Sequence, residues 1–255
     1  MLRLAESATE PHVLVTASAG NHGRALAQAA RLVGYPVTVY VPAQAPRIKL
    51  EPIAQAGATL VPCRDYDEAE RLAREHGASG RATYISPYGH PDVIAGAGTI
   101  AIEILEQDPD VDAIVVPVGG GGLIAGVAIA AVDRARVFGV EAEASCPFTR
   151  SVPAGRVVHI EVGDTLADGL AGNLDPDTIT FELVRRHAAG IVTVTEPEIR
   201  DAIAGLWREE GLVAEGAAAT AIAAVATRRL DLRGRRVAVV LTGANIDPEK
   251  FRSII

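Results

Sequence analysis

The sequence predicts an α/β protein built on parallel β-sheets, and three observations support this fold class. Short β-branched runs alternate with helix-like segments along most of the 255 residues, and repeated β-α-β units produce parallel sheets with right-handed crossovers. Apolar residues make up 49% of the chain, which allows a large core and excludes disorder as the main state. Glycine-rich segments lie between strands and helices, where such sheets bind ligands.

The predicted elements follow one another in a regular order. Runs rich in β-branched residues predict strands at 13–16, 37–41, 59–61, 83–85, 113–118, 137–141, 157–162, 191–194 and 237–241. Helix-like periodicity, with glycine or proline after several segments, predicts helices at 24–33, 47–56, 66–76, 93–107, 123–134 and 214–229. A further helix begins after Thr195, because Thr195 and Glu198 match the pattern of a capping box.

Charge and composition exclude several classes of function. The formal net charge is −8 and no basic run is present, so a nucleic-acid partner is not expected. Cys63 and Cys146 do not form a CxxC pair, which favours reduced thiols and a cytoplasmic location over a disulfide framework or a zinc cluster. The uncharged run 113–132 has the length of a membrane span, but Pro117 and the glycines that follow it favour a strand, a turn and a helix. A membrane partner is not expected either.

The segment 16–23 joins the first strand to the first helix and is a candidate binding loop. Ser18 can cap the helix, while Gly20 and Gly23 allow a ligand to approach the backbone. N–H groups at a helix start favour a carboxylate or a phosphate, and Asn21 can add an oriented amide. Taken alone, the segment is equally consistent with a plain capped turn.

Four consecutive glycines, Gly119, Gly120, Gly121 and Gly122, follow a strand predicted to be buried. Such a run is costly in conformational entropy, and it stands directly before an apolar helix that begins near Leu123. A flexible hinge is one interpretation, but a backbone nest for a phosphate group is the better one. No Lys-Ser/Thr pair follows, as a Walker A loop would require, and no strand-terminal acid stands where a dinucleotide-binding motif needs one.

Two weaker signals remain. Thr242 follows the last predicted strand and would present its hydroxyl at the strand end, although a simple turn explains it equally well. The acids Glu141, Asp168 and Glu215 could bind a cation, but most carboxylates in proteins are solvated.

Together these motifs resemble the fold type II pyridoxal-phosphate enzymes, most closely the threonine/serine dehydratases (ammonia-lyases) and their serine racemase relatives. The resemblance rests on the order of four segments along the chain: Ser18-Ala-Gly-Asn-His-Gly, Gly119-Gly-Gly-Gly-Leu, Ala167-Asp-Gly and Thr242-Gly-Ala-Asn. It implies a tryptophan synthase β-like architecture of two three-layer α/β domains with parallel or mixed sheets. The small domain would span 11–88, and the large domain would combine 1–10 with 89–255. A homodimer is also implied.

The resemblance assigns roles to the residues of the candidate loops. The glycine run 119–122 with Leu123 would hold the phosphate of pyridoxal 5'-phosphate, and Asn21 would hydrogen-bond its phenolic oxygen. Thr242 would face the pyridine nitrogen, which a hydroxyl cannot protonate as a carboxylic acid would; this favours elimination over transamination. The residues implied to hold the substrate carboxylate surround Asn21: Ser18, Ala19, Gly20 and His22.

The implied reaction removes water from L-threonine or L-serine and releases ammonia and a 2-oxo acid. Racemases of the family carry a serine at the place of Ala19, as the second acid–base group beside the lysine, and a methyl group cannot carry a proton. Relatives also bind a cation between the acid matching Glu141 and an acid six residues later. Pro147 occupies that later place here, so no metal is expected and Glu141 is a weak candidate.

The main departure from the family is the lysine that holds the cofactor as a Schiff base, in a Ser-Phe-Lys-like motif upstream of the asparagine loop. The lysines of this chain are Lys49 and Lys250, and neither stands in such a motif. Met1 would fall inside the helix after that motif, so we expect an N-terminally truncated chain without a catalytic residue of its own. Two alternatives stay open: a non-catalytic pyridoxal-phosphate or amino-acid binding module, and a serine racemase-like enzyme. An unrelated nucleotide-binding protein is disfavoured by the missing ribose-binding acid.

Overall fold

The computed structural model describes residues 12–255, which divide into two compact α/β units. The first unit extends to His90 and the second runs from Pro91 to Ile255. Each unit contains a four-stranded parallel sheet, which confirms the α/β class with parallel sheets. The domain ranges 11–88 and 1–10 with 89–255 stay predictions, and residues 1–10 lie outside the described residues.

Strands and helices alternate through the described part of the first unit. In chain order they are β1 (Val13–Ala17), α1 (Asn21–Val33), β2 (Val37–Pro42), α2 (Arg47–Gln55), β3 (Thr59–Cys63), α3 (Tyr66–Ala78) and β4 (Ala82–Tyr84). The strand order in the sheet is β3-β2-β1-β4. Alternate residues of β2 are buried, as expected for a sheet with a packed face on one side.

The second unit repeats this arrangement at larger size. In chain order its elements are α4 (Pro91–Gln107), β5 (Ala113–Pro117), α5 (Gly122–Ala130), β6 (Arg136–Ala142), α6 (Pro147–Ala154), a short 3₁₀ helix (Asp168–Leu170), α7 (Ile179–His187), β7 (Gly190–Val194), α8 (Glu196–Glu210), α9 (Gly216–Ala226), β8 (Val237–Val239) and α10 (Pro248–Arg252). The strand order is β7-β6-β5-β8.

In both sheets, the order in which the chain adds strands therefore reverses beside the first strand. From β1 the chain adds β2 and β3 on one side and then returns to place β4 on the other, and β5 has the same relation to β6, β7 and β8. Ligands of parallel sheets bind at the carboxyl ends of the strands where the order reverses. The loops that follow β1 and β5 occupy those positions, and they are the two loops with the candidate motifs.

The second unit has three layers, because its central strand is buried on both faces. All five residues of β5 are buried. Ile114 and Val116 pack into a core with α4, α5 and α7, whereas Val115 packs into a separate core with α8 and α9. This explains the continuous apolar run in the sequence, since a strand covered on both sides has no polar face.

The apolar run 113–132 forms a strand, a glycine loop and a helix, as predicted. In residues 12–255, no helix is long and apolar enough to cross a membrane. The capping box predicted at the start of α8 is also confirmed, with the Thr195 hydroxyl and the Glu198 carboxylate each bonded to the other's backbone N–H. Element ends differ by a few residues elsewhere; the last strand ends at Val239 rather than at residue 241.

The strand predicted at 157–162 is wrong, because this segment pairs with side chains rather than with a neighbouring strand. The N–H of Val158 donates to Ser151 Oγ at 3.0 Å, and the N–H of Ile160 donates to Asn173 Oδ1 at 2.8 Å. Asn173 also donates to the carbonyl of Ile160 at 3.1 Å. Among residues 12–255, this segment therefore pairs with no strand of the sheet.

Helices α6, α7 and α10 were not predicted from the sequence. Pro147 and Pro153 both lie in α6 and read as helix breakers, but Pro147 stands at the first helical position, where its missing N–H is not needed. α7 did carry a readable signal, since Thr178 caps it, Glu182 lies in its first turn, and basic residues occupy its last turn.

Candidate active site

The loop after β1 is built around the Ser18 hydroxyl. Ser18 Oγ accepts hydrogen bonds from the N–H groups of Gly20 at 3.2 Å and Gly23 at 3.1 Å. The N-cap position itself is Gly20, so Ser18 caps α1 from two residues further upstream than a usual capping side chain. Gly23 is required because a Cβ there would lie 2.7 Å from the Ser18 carbonyl oxygen.

The residues next to this cap are accessible. Ala19 and Gly20 are partly exposed, and Asn21 is exposed as the first residue of α1. The structure thus brings Ser18 to Asn21 together at the positive end of a helix, a place that favours a carboxylate or a phosphate.

His22 differs from its neighbours because its imidazole is held neutral. Burial lowers the pKa of His22 to about 4, with the nearby His90 acting in the same direction and the Ile85 carbonyl opposing. Its Nε2 lies 3.3 Å from the Ile85 carbonyl oxygen, so the hydrogen resides on Nε2 and Nδ1 carries a lone pair. His22 therefore offers no positive charge to a carboxylate at neutral pH.

The loop after β5 requires glycine at position 121 and leaves little room for a side chain at position 119. Gly121 has a φ of 85°, in the left-handed region, and a Cβ there would lie 2.4 Å from Phe148 Cζ. A Cβ on Gly119 would lie 3.1 Å from the Cα of Leu170. The close approach of Phe148 explains the glycine at 121 in packing terms, and this residue was not identified from the sequence.

The backbone of this loop presents donors that the rest of the described chain does not use. In residues 12–255, the N–H groups of Gly119, Gly120 and Gly121 have no hydrogen-bond acceptor. α5 begins directly after them at Gly122, which adds the positive end of a helix. Successive backbone N–H groups at a helix start form the kind of nest that binds phosphate.

One carbonyl of the loop is held from a distant part of the chain. Thr180, in the first turn of α7, donates its hydroxyl hydrogen to the Gly120 carbonyl oxygen at 2.8 Å, and Thr178 Oγ1 lies 2.8 Å from Thr180 Oγ1. Sequence reasoning missed both threonines, because their partner lies 60 residues away. The threonine cap of α7 is the signal that could have directed attention to them.

Glu215 organises the loop that contains Thr242. The N–H of Glu215 donates to the Gly243 carbonyl oxygen at 3.1 Å, and the N–H of Asn245 donates to Glu215 Oε2 at 3.0 Å. Glu215 is buried, whereas Thr242 is exposed and lies beyond the end of β8. An acid considered as a cation ligand therefore holds the Thr242 loop against the start of α9.

Glu141 is buried and its carboxylate is bonded within the protein. It accepts hydrogen bonds from the N–H of Phe148 at 2.8 Å, the N–H of Thr149 at 2.8 Å and the Thr149 hydroxyl at 2.6 Å. Burial raises the pKa of Glu141, and these three bonds oppose the rise. Glu141 therefore holds the start of α6, and no group of three His, Cys, Asp or Glu side chains in the described range could hold a metal ion.

The two lysines lie away from these loops in the sequence and on helical segments. Lys49 is part of α2 and Lys250 is part of α10, and both are partly exposed. Neither belongs to the strand-to-helix loops after β1 and β5.

A comparison with known families decides the class of protein. The model of the pyridoxal-phosphate dependent enzyme family matches residues 1–243. The chain belongs to this family. Its cofactor is accordingly pyridoxal 5'-phosphate, as the order of the motifs predicts.

Ammonia-lyases and racemases are among the relatives of this member of the family. L-threonine ammonia-lyase from Thermotoga maritima is 42% identical over 246 residues, which cover 95% of this chain and 61% of that protein. L-threo-3-hydroxyaspartate ammonia-lyase from Saccharomyces cerevisiae is 35% identical over 246 residues, which cover 95% of this chain and 75% of that protein.

The solved structure of serine racemase from Dictyostelium discoideum matches with a TM-score of 0.83 at 33% identity, and the match covers 93% of this chain and 78% of that chain. This confirms the fold type II architecture. The chain spans less than two thirds of the length of the Thermotoga maritima relative.

The described residues fit the phosphate of this cofactor. Phosphate needs several donors and enough space to approach the backbone, and the Gly119–Gly121 segment supplies N–H groups that no described residue uses. A side chain at 121 would clash with Phe148, and one at 119 would lie in tight contact with Leu170, so glycine at these positions keeps the backbone accessible.

Proposed function

We propose that this protein is a pyridoxal-phosphate-dependent ammonia-lyase that converts L-threonine or L-serine to a 2-oxo acid and ammonia. The observation that carries the proposal is the glycine loop after β5, in which Gly119, Gly120 and Gly121 have N–H groups without acceptors in residues 12–255. The identity to an L-threonine ammonia-lyase supports this reaction among those of the family.

The cofactor, when bound, supplies an electron sink that stabilises negative charge on the α-carbon of the amino acid. In this proposal Gly119 to Gly122 and Leu123 bind its phosphate through backbone N–H groups, and Asn21 donates its side-chain amide to the phenolic oxygen. The Thr242 hydroxyl hydrogen-bonds the pyridine nitrogen without fully protonating it. That limits the electron sink and favours elimination of the β-hydroxyl over transamination.

The substrate carboxylate is held by the loop after β1. A hydroxyl has one hydrogen and two lone pairs. Ser18 Oγ accepts two backbone N–H bonds, so its hydrogen can be donated to a carboxylate. Gly20 and Ala19 leave room for the substrate beside it. Because His22 is neutral, its part in this proposal is to fix the helix start against Ile85, and the positive charge comes from the end of α1.

Ala19 favours ammonia-lyase activity over racemisation in this proposal. Racemisation requires an acid–base group on each face of the α-carbon, and a methyl group cannot transfer a proton. The alternative of a serine racemase-like enzyme would therefore need another proton donor near Ala19. Assays of L-serine with a protein that also carries the lysine segment separate the two activities: pyruvate should form well ahead of D-serine. Equal rates would refute the assignment.

Covalent catalysis by this family requires a lysine amine that bonds to the cofactor. We propose that neither Lys49 nor Lys250 is that lysine. The chain as given should bind pyridoxal 5'-phosphate without forming a covalent link and should show no turnover of L-threonine or L-serine. Incubation with the cofactor, borohydride reduction and peptide mass mapping test this directly. A pyridoxyl group on either lysine, together with 2-oxobutanoate or pyruvate formation, would contradict it.

A non-catalytic pyridoxal-phosphate or amino-acid binding module is the second candidate, favoured by the absence of a Ser-x-Lys motif among the 255 residues. The genomic sequence upstream of Met1 distinguishes the two. A Ser-x-Lys segment in frame supports the enzyme, and a stop codon directly before Met1 supports the module. The proposal also includes a homodimer, which the family resemblance implies. It includes a cytoplasmic location, which the free thiols of Cys63 and Cys146 favour.

A further inference from the structure

Thr180 contacts the candidate phosphate loop, residues 119–122, through a carbonyl oxygen of that loop. It belongs to none of the sequence motifs of the site. It is fully buried at the start of α7. Its hydroxyl donates to the Gly120 carbonyl oxygen at 2.8 Å. This is a bond between two segments that are 60 residues apart, so α7 holds the loop directly.

The direction of the hydrogen bonds is fixed by chemistry. A carbonyl oxygen has no hydrogen, so the Thr180 hydroxyl must donate to Gly120. Thr178 Oγ1 lies 2.8 Å from Thr180 Oγ1, and because the Thr180 hydrogen is already used, Thr178 must be the donor of that pair. The result is a relay from Thr178 to Thr180 to Gly120, and each hydrogen bond of such a chain polarises the next.

The carbonyl of Gly120 determines where the next N–H points. In a planar trans peptide unit, the C=O of Gly120 and the N–H of Gly121 point in opposite directions. A carbonyl held toward Thr180 therefore directs the Gly121 N–H away from Thr180. That N–H has no acceptor within the described residues. The φ of 85° at Gly121 and the ring of Phe148 against its Cα fix the following backbone as well.

We propose that Thr180 is a positioning residue for cofactor binding: it orients the Gly120–Gly121 peptide so that the Gly121 N–H points at the phosphate, and Thr178 holds the Thr180 hydroxyl in place. The inference rests on the proposed role of the glycine loop. Thr180 does not touch the cofactor in this arrangement. Its expected effect is on the phosphate, because the Gly121 N–H is the group that it orients.

The test compares pyridoxal 5'-phosphate with pyridoxal, which has no phosphate. Equilibrium dialysis of the chain gives a Kd for each ligand. The ratio of the Kd for pyridoxal to the Kd for pyridoxal 5'-phosphate measures what the phosphate contributes to binding. Thr180→Val should lower pyridoxal-phosphate affinity about tenfold, as expected for one misaligned hydrogen bond to a charged group, and should leave pyridoxal affinity unchanged. Thr180→Ser keeps the hydroxyl and should restore the ratio.

Thr220→Val is the matched control. Thr220 is also fully buried in the second unit, but its hydroxyl donates to the Ala217 carbonyl of its own helix at 2.9 Å. The ratio should not change in this variant. Thr178→Val removes the donor of the relay and also the side-chain cap of α7, while the Thr180 hydroxyl stays in place. It should reduce the ratio about threefold, since the bond from Thr180 to Gly120 remains.

The outcomes distinguish the role of the glycine loop in phosphate binding from the role of Thr180. If the wild-type chain binds pyridoxal 5'-phosphate no better than pyridoxal, the phosphate assignment of the glycine loop itself fails. If the wild-type chain prefers the phosphate and Thr180→Val keeps that preference, only the role of Thr180 is refuted. Equal weakening of both ligands would show a structural role and also refute it. If Thr180→Val does not fold, an unchanged ratio in Thr178→Val refutes the relay.

Discussion

Burial decides what single side chains can do around the β1 loop. The sequence positions of Ser18 and His22 suggested binding roles, and the polar Thr16 lies in the strand before them. In the structure, Ser18 satisfies two backbone N–H groups, His22 is held neutral, and Thr16 is enclosed in the sheet. Glu141 and Glu215 show the same point in the second unit, because partners distant in the sequence determine their roles.

Thr16 provides a prediction about stability. Its Oγ1 is buried and has no hydrogen-bond partner among residues 12–255, and a buried hydroxyl in that state destabilises the folded protein. Thr16→Val replaces the hydroxyl with a methyl group and should raise the free energy of unfolding by about 1 kcal/mol. Urea denaturation followed by circular dichroism measures this. Thr38→Val, at a half-buried position of β2, is the control and should change it by less than about 0.5 kcal/mol. A destabilised Thr16→Val variant would contradict the prediction.

His22 predicts a dependence of stability on pH. The folded imidazole takes up a proton only near pH 4, whereas the unfolded one does so near its usual value of about 6.5. The stabilisation that the neutral His22 contributes is therefore fully present above about pH 6.5, falls progressively as the pH drops from there, and is lost once the pH has fallen through about 4. Between pH 7.5 and pH 5 the wild-type protein should lose about 2 kcal/mol through this residue.

His22→Gln keeps a side-chain donor for the Ile85 carbonyl but cannot titrate. Urea denaturation of both proteins at pH 7.5 and at pH 5 gives the loss of stability for each. The wild-type loss should exceed that of His22→Gln by about 2 kcal/mol. Parallel losses in the two proteins would show that the imidazole is not held neutral.

Helices α4 and α5 meet so closely that a glycine is required at their crossing. A Cβ on Gly126 would lie 2.2 Å from the Ile94 carbonyl oxygen and 2.8 Å from the Gly98 nitrogen. α5 carries the glycine loop at its start, so this crossing also positions the candidate site. Gly126→Ala should destabilise the protein by about 3 kcal/mol, because the backbones must separate.

Gly96 is the matched control on α4. A Cβ there would have no atom of residues 12–255 within 4 Å, and alanine is the better helix former, so Gly96→Ala should stabilise the protein by roughly 0.5 to 1 kcal/mol. Thermal unfolding of the two variants measures both effects. A Gly126→Ala variant as stable as Gly96→Ala would show that the helices are further apart than described.

Local patterns predicted most elements, and the misses have identifiable physical causes. Thr195 and Glu198 specify a helix start within four residues, so the sequence alone predicted it. The start of α6 depends on Glu141, seven residues earlier on a different element, and Ile160 in the segment 157–162 bonds to Asn173 instead of to a strand. These partners lie outside the short windows from which a helix start or a strand is predicted.

At the scale of the whole molecule, the two units share one strand order, and each places a glycine-containing loop after the strand where that order reverses. The sequence predicted both loops and the cofactor from motif order. It could not predict that Phe148 and Thr180 support the second loop, because these residues reach it only through the fold.

The central claim is that the backbone N–H groups of Gly119, Gly120 and Gly121 bind the cofactor phosphate. Heteronuclear NMR of the chain labelled with ¹⁵N-glycine reports on these groups directly. Titration with pyridoxal 5'-phosphate should shift the three amide resonances, inorganic phosphate should shift the same ones more weakly, and pyridoxal should leave them in place. If the amide resonances of 119–121 do not move at millimolar cofactor, the account is contradicted. This holds whether or not the resonances of other glycines shift.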